Sequence, residues 1–274
     1  MFDLIIIGAG PAGISAAWEA QKLGLKYLVI EKALIGNTIY NYPVGLAVFS
    51  TVNELELMEG TLKPAREKPT REELLSYYVR FVLENNLNVQ TEEEVLNVEK
   101  LGENHFKITS DKDVYESKAV LFAIGAMEYL RKLNCKGEDL PKVHHLFRET
   151  YPYVKKNAMV IGGGNSAGEA ALFLAQEGAN AILAIFRKDW ENNDPKQGCI
   201  KYWVKQPLEA ELSKDCLNVY FLNRVVEIRE NDIVLENENG EIETFPNDVV
   251  FILIGADAEL GLLKNLSVET RKSK

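Results

Sequence analysis

Residues 2–13 read FDLIIIGAGPAG: the apolar run Leu4 to Ile7 ends in Gly8-x-Gly10-x-x-Gly13, and an alanine-rich, helix-favouring segment begins at Ile14. Strand, glycine turn and helix in that order make a glycine triplet a dinucleotide-binding fingerprint. Gly8 allows the tight turn, Gly10 lets the backbone approach a pyrophosphate, and Gly13 lets the helix lie close on the strand. The helix N-terminus adds free N–H groups and a partial positive charge for the phosphates. The next predicted strand, Tyr27 to Ile30, is followed by Glu31. This acid lies about 20 residues past the glycines, placed to hydrogen-bond ribose hydroxyls. Ile14, Ala17, Trp18 and Leu23 give the intervening helix an apolar face and Gly24 stops it, so Phe2 to Glu31 reads as one βαβ unit.

Downstream, Ala33 to Arg71 loosens into Gly, Pro, Asn and Thr among aromatics, a long loop region with short pieces of structure. Tyr40, Tyr42 and Phe49 read as packed aromatics that anchor it. Thr70 to Asn85 follows as an amphipathic helix, with Thr70-x-x-Glu73 as a capping box and Leu74, Leu75, Tyr78 and Val82 on one side. Three strand-like pieces come next, Val95 to Glu99, His105 to Thr109 and Val114 to Gly125.

The same series then recurs. Ala158 to Ile161 runs into Gly162-Gly163-Gly164-Asn165-Ser166-Ala167, a G-x-G-x-x-A turn followed by the helix Gly168 to Gln176 and a strand Ala181 to Phe186. Val219 to Arg229, Ile233 to Glu238 and Glu243 to Gly255 repeat the three strands. This internal duplication makes coincidence a poor account of either glycine motif. The modules differ after the second strand. The acid Glu31 suits ribose hydroxyls and repels a 2′-phosphate, whereas Arg187 and Lys188, read as standing at the same place in the second module, suit a 2′-phosphate. Two dinucleotides are expected, with NADPH preferred over NADH in the second module.

The bulk numbers narrow the partners. A chain of 274 residues with net charge −10 and pI near 5.0 is a poor match for nucleic acid or an anionic membrane, leaving small molecules or proteins. No apolar run reaches the length of a membrane span, and the short N-terminal run, acidic at Asp3, is not a signal peptide, so the expected compartment is cytoplasmic. Cys135, Cys199 and Cys216 form no C-x-x-C, and neither a disulfide framework nor a metal site is expected. Cys199, near Lys196 and Lys201, is the thiol with basic neighbours; Cys135 and Cys216 read as structural or incidental. His144 and His145 read as surface or linker residues rather than metal ligands. Trp203, on a helix expected from Ile200 to Leu212, reads equally well as a pocket residue with Lys201 or as a packing residue.

Two tandem dinucleotide modules resemble the low-molecular-weight thioredoxin-reductase superfamily of flavoproteins. Within it the chain is most similar to the bacillithiol disulfide reductase family. The resemblance is carried by GAGPAG at Gly8–Gly13, Asn37-Thr38-Ile39-Tyr40-Asn41-Tyr42-Pro43, Phe49-Ser50, Lys68-Pro69 and Ser76-Tyr77-Tyr78. It continues through Gly137 to Pro141, Tyr151-Pro152-Tyr153, Gly162 to Ser166, and Ile200-Lys201-x-Trp203. It implies an α/β fold of two Rossmann-like dinucleotide-binding domains, three-layered with β-meanders, the second inserted in the first. An FAD-binding domain would take residues 1–122 and 250–274, with its C-terminal part incomplete at Lys274, and an NAD(P)H-binding domain residues 123–249.

By the same resemblance FAD falls to Gly8, Gly10, Pro11, Ala12, Gly13, Glu31, Lys32, Asn37, Thr38, Val95 and Ala123-Ile124-Gly125. NADPH falls to Gly162, Gly164, Asn165, Ser166, Ala167, Arg187 and Lys188. The implied reaction passes a hydride from NADPH to FAD and electrons on to a low-molecular-weight disulfide such as bacillithiol disulfide, in a homo-oligomer. Two thiols of the wider group are absent. His145 to Arg148 fills the place of the thioredoxin-reductase C-x-x-C, and Ala12 stands where the nearer family usually has a cysteine. A methyl group cannot attack or resolve a disulfide. No catalytic side chain is assigned, because transfer between the cofactors requires none. Two other readings remain: a ferredoxin- or flavodoxin-NADP reductase acting on a small electron-carrier protein, and a non-catalytic nucleotide-binding or redox-sensing protein.

Overall fold

The computed structural model describes residues 1–127, 129–186, 200–214, 216–257, 261–264 and 266. The chain divides into two compact units, residues 1–128 with 258–274, and residues 129–257.

In the first unit, β1 (Phe2–Ile7) leads into α1 (Pro11–Lys22) and β2 (Tyr27–Ile30). The loop region carries two short helices, α2 (Asn37–Tyr40) and α3 (Val52–Leu55), before α4 (Arg71–Glu84). Next come β3 (Val89–Gln90), β4 (Val95–Gly102), β5 (His105–Ser110) and β6 (Val114–Phe122). The strand order is β3-β2-β1-β6-β5-β4. β1 is parallel to both β2 and β6, and β4-β5-β6 form an antiparallel meander. Alternation along β1 explains the layers: Ile6 joins the core beneath α1 and α4, while Ile5 and Ile7 join Val98 and Ile108 of the meander. The expected capping box is present, with Thr70 Oγ1 accepting from Glu73 N and Glu73 accepting from Thr70 N.

The second unit begins with β7 (Tyr129–Leu130) and β8 (Val143–His144), followed by β9 (Asn157–Ile161), α5 (Asn165–Gln176) and β10 (Asn180–Ile185). It continues through α6 (Tyr202–Leu212), β11 (Leu217–Ile228), β12 (Asp232–Asn237), β13 (Ile242–Pro246), β14 (Val249–Ile252) and β15 (Ala256–Asp257). The main order is β13-β12-β11-β10-β9-β14-β8, and β15 pairs with β7. Helices α5 and α6 cover one face and the β11–β12 ribbon packs over the other. A short α7 (Gly261–Lys264) returns to the first unit, where Leu262 and Leu266 pack on the meander-side core.

Two expectations change. The third strand expected over Glu243 to Gly255 is broken at Asn247 into β13 and β14, whereas its counterpart β6 runs unbroken into the sheet. The units also divide at 128/129 and 257/258 rather than at 122/123 and 249/250, because β14 pairs with β9 and β15 with β7.

Candidate functional site

Each unit builds a glycine turn at the C-terminal end of a parallel strand, β1 in the first and β9 in the second. In the first, Gly8 N donates to Ile30 O (2.8 Å), Ala123 N donates to Ile7 O (2.8 Å), and the first helical bond of α1 is Ile14 N to Gly10 O (3.0 Å). Gly8 has φ +106°, and a Cβ on it would meet Ala123 O at 2.4 Å. A Cβ on Gly13 would meet Gly8 O at 1.9 Å, so no side chain fits there. Above Gly10 the space is open, with nothing within 4 Å of an added Cβ. The first-turn N–H groups of α1 lie outside the helix's own ladder, and no acidic side chain occupies that turn. A backbone cradle with this polarity fits a pyrophosphate.

Glu31, 8% exposed, folds into this turn: Oε2 accepts from Ala9 N (2.7 Å) and Oε1 from Ala33 N (2.9 Å). Each oxygen keeps a further lone pair for a ligand hydroxyl. Gly36 N donates to Ala9 O (3.0 Å), which ties the start of α2, and with it Asn37 and Thr38, to the same turn. Pro11 and Ala12 are exposed at the start of α1. Ile124 is half-buried, and Gly125, φ +73°, is exposed. The exposed Lys32 follows Glu31. Val95 is not on this surface by its side chain, which is 8% exposed and lies in the core with Ile5, Ile7 and Leu28.

The second turn repeats the first. Gly162 N donates to Ala184 O (3.0 Å), Leu253 N to Ile161 O (2.8 Å), and Gly168 N to Gly164 O (3.1 Å). Gly162 has φ +151°, and its added Cβ would meet Leu253 O at 2.3 Å; the space above Gly164 is open. Ser166 is exposed and Ala167 buried. Asn165 Oδ1 accepts from Lys201 N (2.7 Å), so this side chain fastens the start of α6.

The pairing register corrects one comparison made from the sequence. Ile30 lies opposite Ile7 and Ala184 opposite Ile161, so the counterpart of Glu31 is Ile185, which is 1% exposed. Arg187 and Lys188 stand beyond that position, outside the described residues, as does Cys199.

Two supporting groups carried no local sequence signal. Arg71, 7% exposed, donates through Nε (3.2 Å) and Nη2 (2.7 Å) to Tyr40 O at the end of α2. Glu93, fully buried, donates its N–H to Glu31 O (3.0 Å), and its carboxylate accepts from Ser110 Oγ and Tyr115 OH. Burial and that carboxylate push the Tyr115 hydroxyl up to about 12.

Other candidates fall away from the turns. Burial, then Glu138, raises the Cys135 thiol above its ordinary value, which disfavours the reactive thiolate. His144 is neither a linker residue nor a surface one: it lies in β8 against Phe251, ring centroids 5.4 Å apart, and burial lowers its pKa. His145 Nε2 lies 3.6 Å from Glu138 Oε1. No metal-binding cluster occurs among the described residues. On α6, Val204 and Leu208 carry the packing, and Trp203 is 42% exposed with an edge contact to Tyr202. No described helix is long and apolar enough to cross a membrane.

Comparison with known proteins agrees with this geometry. Residues 5–274 match the family described as pyridine nucleotide-disulphide oxidoreductase. Bacilliredoxin reductase Bdr of Bacillus subtilis (strain 168) is 35% identical over 268 residues, covering 98% of this chain and 81% of that protein. The solved bacillithiol disulfide reductase Bdr of Staphylococcus aureus superposes with a TM-score of 0.90 at 36% identity, covering 99% of this chain and 82% of that one. Lactococcus lactis thioredoxin reductase shares the fold, with a TM-score of 0.76 at 22% identity over 98% of this chain and 82% of that one. The chain therefore belongs to the pyridine nucleotide-disulphide oxidoreductase family, beside the bacillithiol disulfide reductases, and is an oxidoreductase that uses FAD and NADPH.

Proposed function

We propose that the two units are two Rossmann-type domains, the first for FAD and the second, inserted in the first along the chain, for NADPH. On this reading electrons leave for a low-molecular-weight disulfide such as bacillithiol disulfide. The observation that carries it is the pair of open cradles over Gly10 and Gly164, each at a helix N-terminus free of acidic side chains. FAD held over the Gly8–Gly13 turn would supply the two-electron chemistry that links NADPH to the acceptor.

This chain's part is to hold and orient. Gly8, Gly10, Pro11, Ala12 and Gly13 present backbone to the FAD pyrophosphate. Glu31, held in place by Ala9 and Ala33, offers its remaining lone pairs to ribose. Lys32, Asn37, Thr38, the Val95 backbone and Ala123 to Gly125 complete the FAD side. Gly162, Gly164, Asn165, Ser166 and Ala167 do the same for the NADPH pyrophosphate, and Arg187 and Lys188 neutralise the 2′-phosphate. Ala12 provides no thiol, so the acceptor is reduced without a mixed disulfide at that position. The protein acts as a cytoplasmic homo-oligomer.

Anaerobic titration tests the reading. The purified protein is expected to show the visible band of oxidised flavin, bleached by NADPH and restored by bacillithiol disulfide. Restoration by ferredoxin or flavodoxin alone would reassign it to the single-electron reductases, and absence of the band would leave a nucleotide-binding protein. Arg187→Ala is expected to cut the preference for NADPH over NADH by about 10-fold, the worth of one charge-assisted hydrogen bond; an unchanged ratio removes Arg187 from the site.

A further inference from the structure

Helix α2 is a single turn, Asn37–Tyr40, too short to hold its own position. Its place is set by ties at its two ends. At the start, Gly36 N donates to Ala9 O (3.0 Å), and the N–H of the same Ala9 donates to Glu31 Oε2 (2.7 Å). The helix therefore stands on the residue that also fixes the carboxylate proposed for ribose. At the far end, the last carbonyls of a helix have no donor within its own ladder. Arg71 supplies one from α4: Nε (3.2 Å) and Nη2 (2.7 Å) both donate to Tyr40 O.

The buried Arg71 is itself fixed at both ends. Its backbone adjoins an antiparallel bridge of Ala47 with Thr70, where Arg71 N donates to Leu46 O and Val48 N to Pro69 O, both at 2.8 Å. Its head is held by Nη1 donating to Glu72 Oε1 (2.6 Å) and by the Tyr40 ring, whose centroid lies 5.4 Å from Cζ. A planar fork held in this way gives the Tyr40 carbonyl one defined place. Stability alone does not account for the residue, since replacing a buried charged group and its partner with apolar side chains is often neutral or stabilising. An apolar side chain cannot hold a carbonyl.

We propose that Arg71 is a positioning residue for FAD. Through Tyr40 O it holds α2, and with it the half-buried Asn37 and the exposed Thr38, in the place from which those side chains meet the cofactor. This role rests on the first unit being the FAD domain. Arg71 acts on FAD only through α2, so its effect depends on the side chains that α2 carries.

FAD affinity, measured by quenching of flavin fluorescence, tests the role in two backgrounds: the unaltered chain, and the chain with Asn37→Ala and Thr38→Ala together. Arg71→Lys keeps the charge but not the fork, and is expected to weaken FAD binding by about 10-fold in the unaltered background, the worth of one charge-assisted hydrogen bond. In the Asn37→Ala/Thr38→Ala background the same substitution is expected to cost about 2-fold or less, because a residue acting through those side chains has nothing left to position. Arg71→Gln, which carries no charge into the core, gives a second cycle and is expected to show the same dependence on background. Equal losses in the two backgrounds, unchanged affinity in both Arg71 variants, or no loss from the Asn37→Ala/Thr38→Ala pair overturns the proposal while FAD still binds. An unaltered chain that takes up no FAD overturns the reading of the unit as well.

Discussion

The turn at Gly8–Gly13 and the turn at Gly162–Ala167 are closed by the same set of backbone bonds, yet their fillings differ. In the first, the Glu31 carboxylate reaches back to Ala9 N, and Gly13 lies against Gly8 O too closely for a methyl group. In the second, Ile185 takes the place of Glu31 in the core, and Ala167 takes the place of Gly13. The backbone rotation at the two leading glycines, φ +106° against φ +151°, accompanies the extra methyl group. The same chain path is thus held by charge-assisted hydrogen bonds in one unit and by apolar packing in the other. The Asn165 carboxamide adds a tie that the first turn lacks, to the start of α6. Duplicated backbones keep their hydrogen-bond closure, while the side chains that stabilise it are replaceable.

The largest expected break in this comparison is Gly13→Ala. Its Cβ has backbone, not a flexible side chain, at 1.9 Å, so the turn must open at a cost of about 3 kcal/mol or more. Flavin content per protein and the thermal midpoint are both expected to fall. The mirror change, Ala167→Gly, only loosens a helix start and is expected to cost about 1 kcal/mol by chemical denaturation. Equal losses from the two would erase the distinction between the turns.

Glu31→Ala comes next. It leaves Ala9 N and Ala33 N without their carboxylate, at about 2 kcal/mol of stability for bonds to a charged group. Flavin retention through gel filtration is the accompanying measurement, and full retention would show that the carboxylate serves the turn rather than a ribose. A smaller effect is expected from Thr70→Ala, which removes the capping box of α4 at about 1 kcal/mol. Helix α6 has no side-chain cap and contains Pro207, so Lys201→Ala, at its N-cap, is expected to leave stability nearly unchanged.

A further small effect is expected on pH dependence. His144 has its folded pKa below the ordinary 6.5, through burial and the neighbouring His145. Its contribution is complete above 6.5 and is lost as pH falls from there through the lowered folded value, because the unfolded chain then binds the extra proton. His144→Phe, which keeps an aromatic ring against Phe251 and Tyr153, is expected to flatten that part of the acid limb in thermal melts taken at a series of pH values. An identical acid limb in the variant removes His144 as its source.

Much of this was legible because it is local. The capping box at Thr70 and Glu73 lies within a few residues of sequence, as do the glycine turns and the alternation of Ile5, Ile6 and Ile7. Arg71 could be read only as a helix residue, since its partner, Tyr40 O, lies 31 residues away. Glu93 had the same difficulty, for its partners Ser110 and Tyr115 sit on other strands. The pairing of Arg187 with Glu31 failed for a related reason: equivalence between repeats is set by strand register, and the register selects Ile185. The break between β13 and β14 lies at Asn247, where the chain leaves the meander for the parallel sheet.

By itself the sequence determined the two strand–glycine–helix turns, their duplication and the cofactor class. Each depends on backbone freedom and residue periodicity over a short span. Only the tertiary structure decided that Glu31 closes on Ala9 N and that Gly13 has no room for a side chain. Those outcomes depend on hydrogen bonds and close approaches between segments distant along the chain, and only the packed sheets bring such segments together.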